Sequence, residues 1–176
     1  MKLKIFRFKK VNSTNSTAHR IIKNSKVNYG MIISEMQNNG RGKYGKKWIS
    51  YKGNLFVSFF FNLEKFRFSL KQLTKINCLA VKKLLSFYVK NKIFFKKPND
   101  LLIDNKKICG ILHETLNKSG KKYLIVGVGI NLINSPNIDS YPTTNLFELL
   151  NKKISKKKIE NEIKKIFEFN LNKFYK

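Results

Sequence analysis

The spacing of apolar residues changes period several times along the chain, and each change marks an element. The N-terminal residues alternate charge with apolar side chains, so Leu3, Ile5 and Phe8 predict a first strand or extended arm. Ser13-Thr14-Asn15-Ser16-Thr17 supplies N-cap chemistry, and residues 18–23 can begin a helix behind it. Residues 30–36 read as a strand, 37–47 as a polar, glycine-rich loop, and 55–61 as a buried strand. Leu70, Leu73, Ile76, Ala80, Leu84 and Phe87 recur every three or four residues and predict the main amphipathic helix over 70–90. Short strands follow at 93–96, 101–103, 107–116 and 123–132. Asp104-Asn105 and Lys118-Ser119-Gly120 provide turn residues between them. Ile159, Ile163, Ile166, Leu171 and Phe174 mark a closing helix. Runs of strands with segregated helices predict an α+β fold, a mostly antiparallel sheet with helices packed on one face. No repeat and no Pro/Gly/Ser linker interrupts the 176 residues, so a single domain over 1–176 is expected.

Composition narrows the classes. A hydrophobic fraction of 42% with 13% aromatics supports a real core and argues against disorder. No apolar run approaches the roughly 20 residues of a membrane helix, and the N-terminus has no uninterrupted apolar region of the kind a signal peptide carries. Cys78 and Cys109 form no C-x-x-C pair and have no histidine at zinc-ligand spacing, which fits a reducing, cytoplasmic setting. The net charge of +27 is extreme and raises nucleic-acid binding. Yet the basic residues are almost all lysine, spread along the whole chain, and lysine, asparagine, isoleucine and phenylalanine are over-used together. That pattern favours compositional drift, so no specific DNA contact is expected.

Against that background the clustered glycines stand out. Gly40-Arg41-Gly42-Lys43-Tyr44-Gly45-Lys46-Lys47-Trp48 places four cations, and the only tryptophan, in one loop. Glycines allow backbone N–H groups to approach an anion closely, so this loop suits a negatively charged ligand beside an aromatic face. It is neither a Walker A loop nor a G-x-G-x-x-G between strand and helix. Two weaker signals follow. One is Pro98-Asn99-Asp100 with the return strand Lys107-Ile108-Cys109-Gly110-Ile111-Leu112. The other is Gly127-Val128-Gly129-Ile130-Asn131, where glycines inside an apolar strand suggest close packing against it. Each alone leaves the function open.

Together and in this order, S-T-N at 13–15, Q-x-x-G-R-G-x-x-G-x-x-W at 37–48, P-N-D at 98–100, K-I-x-G-I-L-x-E at 107–114 and G-V-G-I-N at 127–131 resemble the catalytic domain of bacterial biotin protein ligases, the biotin–[acetyl-CoA-carboxylase] ligases. The resemblance runs from about residue 10 to about residue 150. It implies a class II aminoacyl-tRNA-synthetase-like fold. Lys97 stands where the family usually has Trp, Lys43 and Lys46 where Arg is usual, and Asn39 where Ala is usual. The family's N-terminal helix-turn-helix domain and C-terminal SH3-like domain have no counterpart in these residues, so operator binding is not expected.

The resemblance implies a two-step, ATP-dependent reaction that needs no enzyme nucleophile: formation of biotinyl-5′-AMP, then transfer of biotin to a lysine of a biotin carboxyl carrier protein. By position, Lys107 and Arg41 are the implied catalytic residues, bridging the biotin carboxyl and the α-phosphate. Ser13, Thr14, Asn15 and Gln37, with Arg41, Gly42 and Lys43 of the loop, are implied to bind biotin, and Gly110 to leave room for its body. Trp48, Asn99, Gly129 and Asn131 are implied on the ATP side, with Asp100 helping to place Mg²⁺. No dedicated metal-ligand set is expected, and His19, His113 and Cys109 are expected to be non-catalytic. A monomer or weak homodimer is expected. A lipoate or octanoate transferase of the same superfamily, a decayed ligase that binds biotin without turnover, and a basic nucleic-acid-binding module without catalysis are the competing readings.

Overall fold

The computed structural model describes residues 1–64 and 66–174. Nine strands and four helices follow in the order β1 (Lys4–Val11), α1 (Thr14–Asn24), β2 (Tyr29–Gln37), β3 (Gly40–Arg41), β4 (Lys47–Trp48), β5 (Leu55–Asn62), α2 (Leu70–Ser86), β6 (Ile93–Lys96), β7 (Asp100–Ile103), β8 (Lys106–Lys118), β9 (Lys121–Ile130), α3 (Leu146–Leu150) and α4 (Lys156–Phe174). Seven strands form one sheet in the order β1-β2-β5-β9-β8-β7-β6. Only β1 and β2, joined across α1, run parallel; the other neighbours are antiparallel. The mostly antiparallel α+β expectation therefore holds.

Helix placement is more divided than the pattern suggested. On one face α2 and α4 cover Leu55, Val57, Phe59 and Phe61 of β5 and the matching positions of β9, and Phe167 of α4 stacks on Phe59 at 3.7 Å. Packing on one face is thus right for the two long helices. α1 lies on the opposite face, where Ala18 and Ile22 pack on Ile32, Phe60 and Ile125. It caps through Ser13, and its short apolar edge covers only part of that face. The uncovered remainder becomes the cavity described below. Both faces of β5 are thereby enclosed, which is why every one of its residues is buried.

The hairpin turns fall where expected. Asp104, Asn105, Ser119 and Gly120 all have positive φ, as a tight two-residue turn between twisted strands requires. α2 is shorter than the pattern over 70–90. Its last carbonyls, Leu84 and Leu85, are taken by the N–H groups of Phe87, Tyr88 and Val89 in a tightened turn, which swings Val89 into the core.

Candidate active site

Three strands prepare the floor. Across β5, β9 and β8 the register aligns Phe56, Gly129 and Gly110 in one row and Ser58, Gly127 and Leu112 in the next. The glycines leave this floor flat. A Cβ at Gly127 would stand 2.3 Å from Asn15 Oδ1, and one at Gly129 would stand 2.5 Å from Trp48 Cε2. Trp48 thus lies flat over Gly129 and Gly110. The space above Gly110, assigned to the biotin body in the family reading, holds the indole edge in this structure.

Lys107 reaches the floor through a strand irregularity. Leu101 pairs with Cys109 but Leu102 pairs with Lys107, so β8 carries one extra residue, Ile108. In a regular strand Lys107 and Gly110 would face opposite sides. The bulge sends Ile108 and Cys109 into the core and turns Lys107 onto the cavity side with Gly110. Its Nζ sits 2.9 Å from Asp100 Oδ2 and near the rings of Trp48 and Tyr141, at 5.5 and 5.1 Å from their centroids.

The glycine-rich loop folds as a small hairpin. β3 pairs with β4, the Gly42 N–H donates to the Lys46 carbonyl at 2.7 Å, and Tyr44 forms an exposed tip. A hydrogen-bond chain ties both ends of this hairpin to the sheet. Arg41 reaches Glu114 Oε2 at 2.5 Å, and the same oxygen accepts from Asn15 Nδ2 at 2.8 Å and lies 3.5 Å from His19 Nε2. Ser58 donates to Asn15 Oδ1 at 2.5 Å and meets the Thr14 hydroxyl at 2.8 Å. The Thr14 N–H donates to Gln37 Oε1, Gln37 Nε2 donates to Ser50 Oγ, and Ser50 Oγ donates to the Trp48 carbonyl, at 2.8, 3.0 and 3.2 Å.

One cavity of about 350 Å³ gathers Ser13, Thr14, Asn15, Gln37, Arg41, Gly42, Lys43, Trp48, Asn99, Asp100, Lys107, Gly110 and Gly129. Asn131 is the exception. It is buried behind Trp48, where it donates to the Thr144 carbonyl at 3.1 Å and lines a smaller recess with Trp48 and Tyr141. Sequence reasoning assigned no role to Ser58, Glu114 or Tyr141. A lone serine in the apolar run L-F-V-S-F-F-F was a usable signal for the first.

Charge in the cavity is one-sided. Arg41, Lys43, Lys46, Lys47, Lys96, Lys97 and Lys107 line it. Its one carboxylate, Asp100, is held by Lys107, and nearby Glu114 is held by Arg41. Lys43, Lys46, Lys47, Lys96 and Lys97 have no acidic partner among the described residues. Such a field suits a polyanion. Behind the floor, burial pushes the Cys78 thiol up to about 12 and raises Cys109 as well, so neither is a thiolate nucleophile. His113 is half-buried, and desolvation first, with the Lys43 charge second, lowers its pKa to about 4.

The family model for the biotin/lipoate A/B protein ligases matches residues 7–131. The bifunctional ligase/repressor BirA of Bacillus subtilis (strain 168) is 30% identical over 129 residues, which cover 72% of this chain and 40% of that protein. The Escherichia coli (strain K12) protein of the same name is 34% identical over 102 residues, covering 57% and 32%. The chain therefore spans well under half the length of these relatives. Among solved structures, the biotin protein ligase of Aquifex aeolicus in complex with biotin and ATP superposes with a TM-score of 0.81 at 30% identity, covering 98% of this chain and 72% of that one. With the family model matched across most of its length, the chain belongs to the biotin/lipoate A/B protein ligase family.

Proposed function

We propose that this chain is an ATP-dependent biotin protein ligase: it joins biotin to AMP and passes biotin to a lysine of a biotin carboxyl carrier protein. The observation that carries the reading is the polarity gradient of this cavity. One end, at the start of α1, is lined by the uncharged hydrogen-bonding side chains of Ser13, Thr14, Asn15 and Gln37, with buried Ser58 behind Thr14 and Asn15. That suits the neutral ureido ring of biotin. The middle holds Arg41 and Lys107, which suits two anions that must meet. The other end is the Trp48 ring, with Asn99 and Gly129 beside it, which suits adenine. Relatives whose names or structures specify biotin support this reading over a lipoate or octanoate transferase.

In the first step a biotin carboxylate oxygen attacks the α-phosphorus of ATP, the bond from that phosphorus to the bridging oxygen breaks, and pyrophosphate leaves. Arg41 presents a planar fork to carboxylate or phosphate, and Lys107 a compact charge beside the reacting oxygens. Both are already held, by Glu114 and Asp100, so little reorganisation is needed when charge develops. In the second step the carrier lysine amine attacks the anhydride carbonyl, AMP leaves, and the amine proton passes to solvent. Asp100 Oδ1 is buried and unpartnered, and no group of three His, Cys, Asp or Glu side chains among the described residues could hold a metal. One free carboxylate oxygen fits a Mg²⁺ carried by the ATP phosphates, where it would offset phosphate charge. The work is electrostatic and positional.

No helix among the described residues is long and apolar enough to cross a membrane, and the proposal places the reaction with its ATP and carrier in the cytoplasm. Biotin-dependent exchange of labelled pyrophosphate into ATP, followed by transfer of biotin to a carrier domain, tests the reading. Exchange that requires biotin is expected; its absence, or exchange driven by lipoate or octanoate instead, would overturn it.

A further inference from the structure

Residues 131–145 run from the end of β9 to α3 as a strap without helix or strand. The strap is braced at its start. Buried Asn54 accepts through Oδ1 from the N–H groups of Leu132, Ile133 and Asn134 at 2.9, 3.0 and 3.2 Å, and donates to the Asn134 carbonyl at 2.7 Å. It then docks on Lys107 itself. The Lys107 N–H donates to the Pro142 carbonyl at 2.9 Å, and the Thr144 N–H donates to the Lys107 carbonyl at 3.0 Å. This docking fixes half-buried Tyr141 with its ring 5.1 Å from Lys107 Nζ, while Trp48 stands 5.5 Å from the same atom.

We propose that Tyr141 is a positioning residue for Lys107, forming with Trp48 an aromatic slot that holds the ammonium at the reacting centre. The inference rests on the reading that Lys107 serves the adenylation step. A lysine side chain has four rotatable bonds, so an unrestrained ammonium would spend little time in one place. A carboxylate could restrain it, as Asp100 does, but each carboxylate also offsets the charge that the reaction needs. An aromatic face attracts a cation through its quadrupole and carries no net charge. Two rings therefore add restraint to that of Asp100 without offsetting more of the charge offered to the α-phosphoryl oxygens. The strap's two backbone bonds to Lys107 place its one aromatic residue, Tyr141, on the residue it serves.

The test uses the intact chain. Tyr141→Phe keeps the ring, and Tyr141→Leu removes it. Replacing Tyr141 with mono-, di- and trifluorinated phenylalanine weakens the quadrupole at nearly constant shape. The expected result is a kcat for biotin-dependent pyrophosphate exchange that falls stepwise with fluorination, by about 10-fold at Tyr141→Leu. The KM for biotin and the Tm should change little, and Tyr141→Phe should recover most of the rate. A structural role for the strap would move Tm and would not follow fluorination. Equal kcat across the series would overturn the proposal, as would a Tyr141→Phe rate as low as that of Tyr141→Leu, which would assign the role to the hydroxyl. A second readout needs no turnover. After reductive ¹³C-methylation, the Lys107 signal, identified by its loss in Lys107→Arg, should be shifted upfield by the rings. It should move downfield in Tyr141→Leu and stay in Tyr141→Phe; an unmoved signal would also overturn the slot. An unsubstituted chain without any exchange would instead overturn the proposed function and the positioning role with it.

Discussion

The Ser58 hydroxyl donates to Asn15 Oδ1 at 2.5 Å, joining the middle of the central strand to the first turn of α1. The contact sets the orientation of the Asn15 carboxamide, because its nitrogen is then free to donate to Glu114. Both partners are buried, and Gly127 beneath them lacks the Cβ that would separate them. Ser58→Ala leaves Asn15 Oδ1 without this donor, a loss of about 1–3 kcal/mol for a buried group. We expect a lower Tm and a biotin KM raised about 10-fold, with the KM for ATP changed much less. Steady-state exchange kinetics at varied biotin and ATP check this, and equal effects on both KM values would count against a local role.

Lys107 stands out from the many surface lysines by position alone. It is half-buried, aimed onto the cavity floor by the Ile108 bulge, and held by Asp100. Lys107→Ala should cut biotin-dependent exchange by about 100-fold or more, the range for losing one preorganised group at a developing charge. The far-UV spectrum should be unchanged, since the sheet at this point is held by backbone bonds to β7 and the strap. A rate within a few-fold of the unsubstituted chain would remove Lys107 from the mechanism.

Much of the cavity was legible in the sequence because its residues sit in short, ordered motifs: the loop from Gln37 to Trp48 and the strands bearing Lys107, Gly110 and Gly129. What was not legible depends on register or on distant segments. Nothing in K-I-C-G marks Ile108 as an extra residue, since a bulge is defined by the partner strand. The turn chemistry at Asp104-Asn105 and Ser119-Gly120 was local and therefore readable. The side of the sheet taken by α1 was not, because a short amphipathic helix does not state which face it covers. Asn131 was read with its motif neighbours as part of the open site, yet it lies behind the indole. Tyr141 lies in a strap whose course is set by Asn54, far away in sequence.

The loop bearing Arg41, Lys43, Lys46 and Lys47 holds like charges close together around three glycines. Only Arg41 among them has an acidic partner among the described residues. Without an anion, mutual repulsion and glycine entropy favour opening; a bound biotinyl-adenylate supplies the missing charge. Amide hydrogen exchange over residues 37–47 should therefore slow when biotin and ATP are both present, and the closed loop would shield the anhydride from water. Identical exchange with and without ligands would mean that the hairpin is a rigid cradle.

His113 predicts how stability depends on pH. Its half-buried ring lies on the helix side of β8, with Nε2 3.4 Å from the Asn77 amide and a buried Nδ1 without a partner among the described residues. Burial first, and the Lys43 charge second, lower its pKa from 6.5 to about 4. The folded chain therefore keeps His113 neutral at pH values where the unfolded chain has protonated it. Because the unfolded state then binds more protons, stability is full above pH 6.5 and falls as pH drops towards about 4. At about 1.4 kcal/mol per pH unit the loss across that window is about 3 kcal/mol. Other groups titrate there too, so the useful quantity is a difference between two chains. His113→Gln keeps a polar group facing Asn77 and carries no titrating ring. Urea denaturation from pH 7 to pH 4 should show the two stability curves converging as pH falls, the unsubstituted chain losing about 3 kcal/mol more than the variant. Parallel curves would mean that His113 is protonated in the folded core as easily as in water. The cluster it shares with Asn77 would then have to be hydrated.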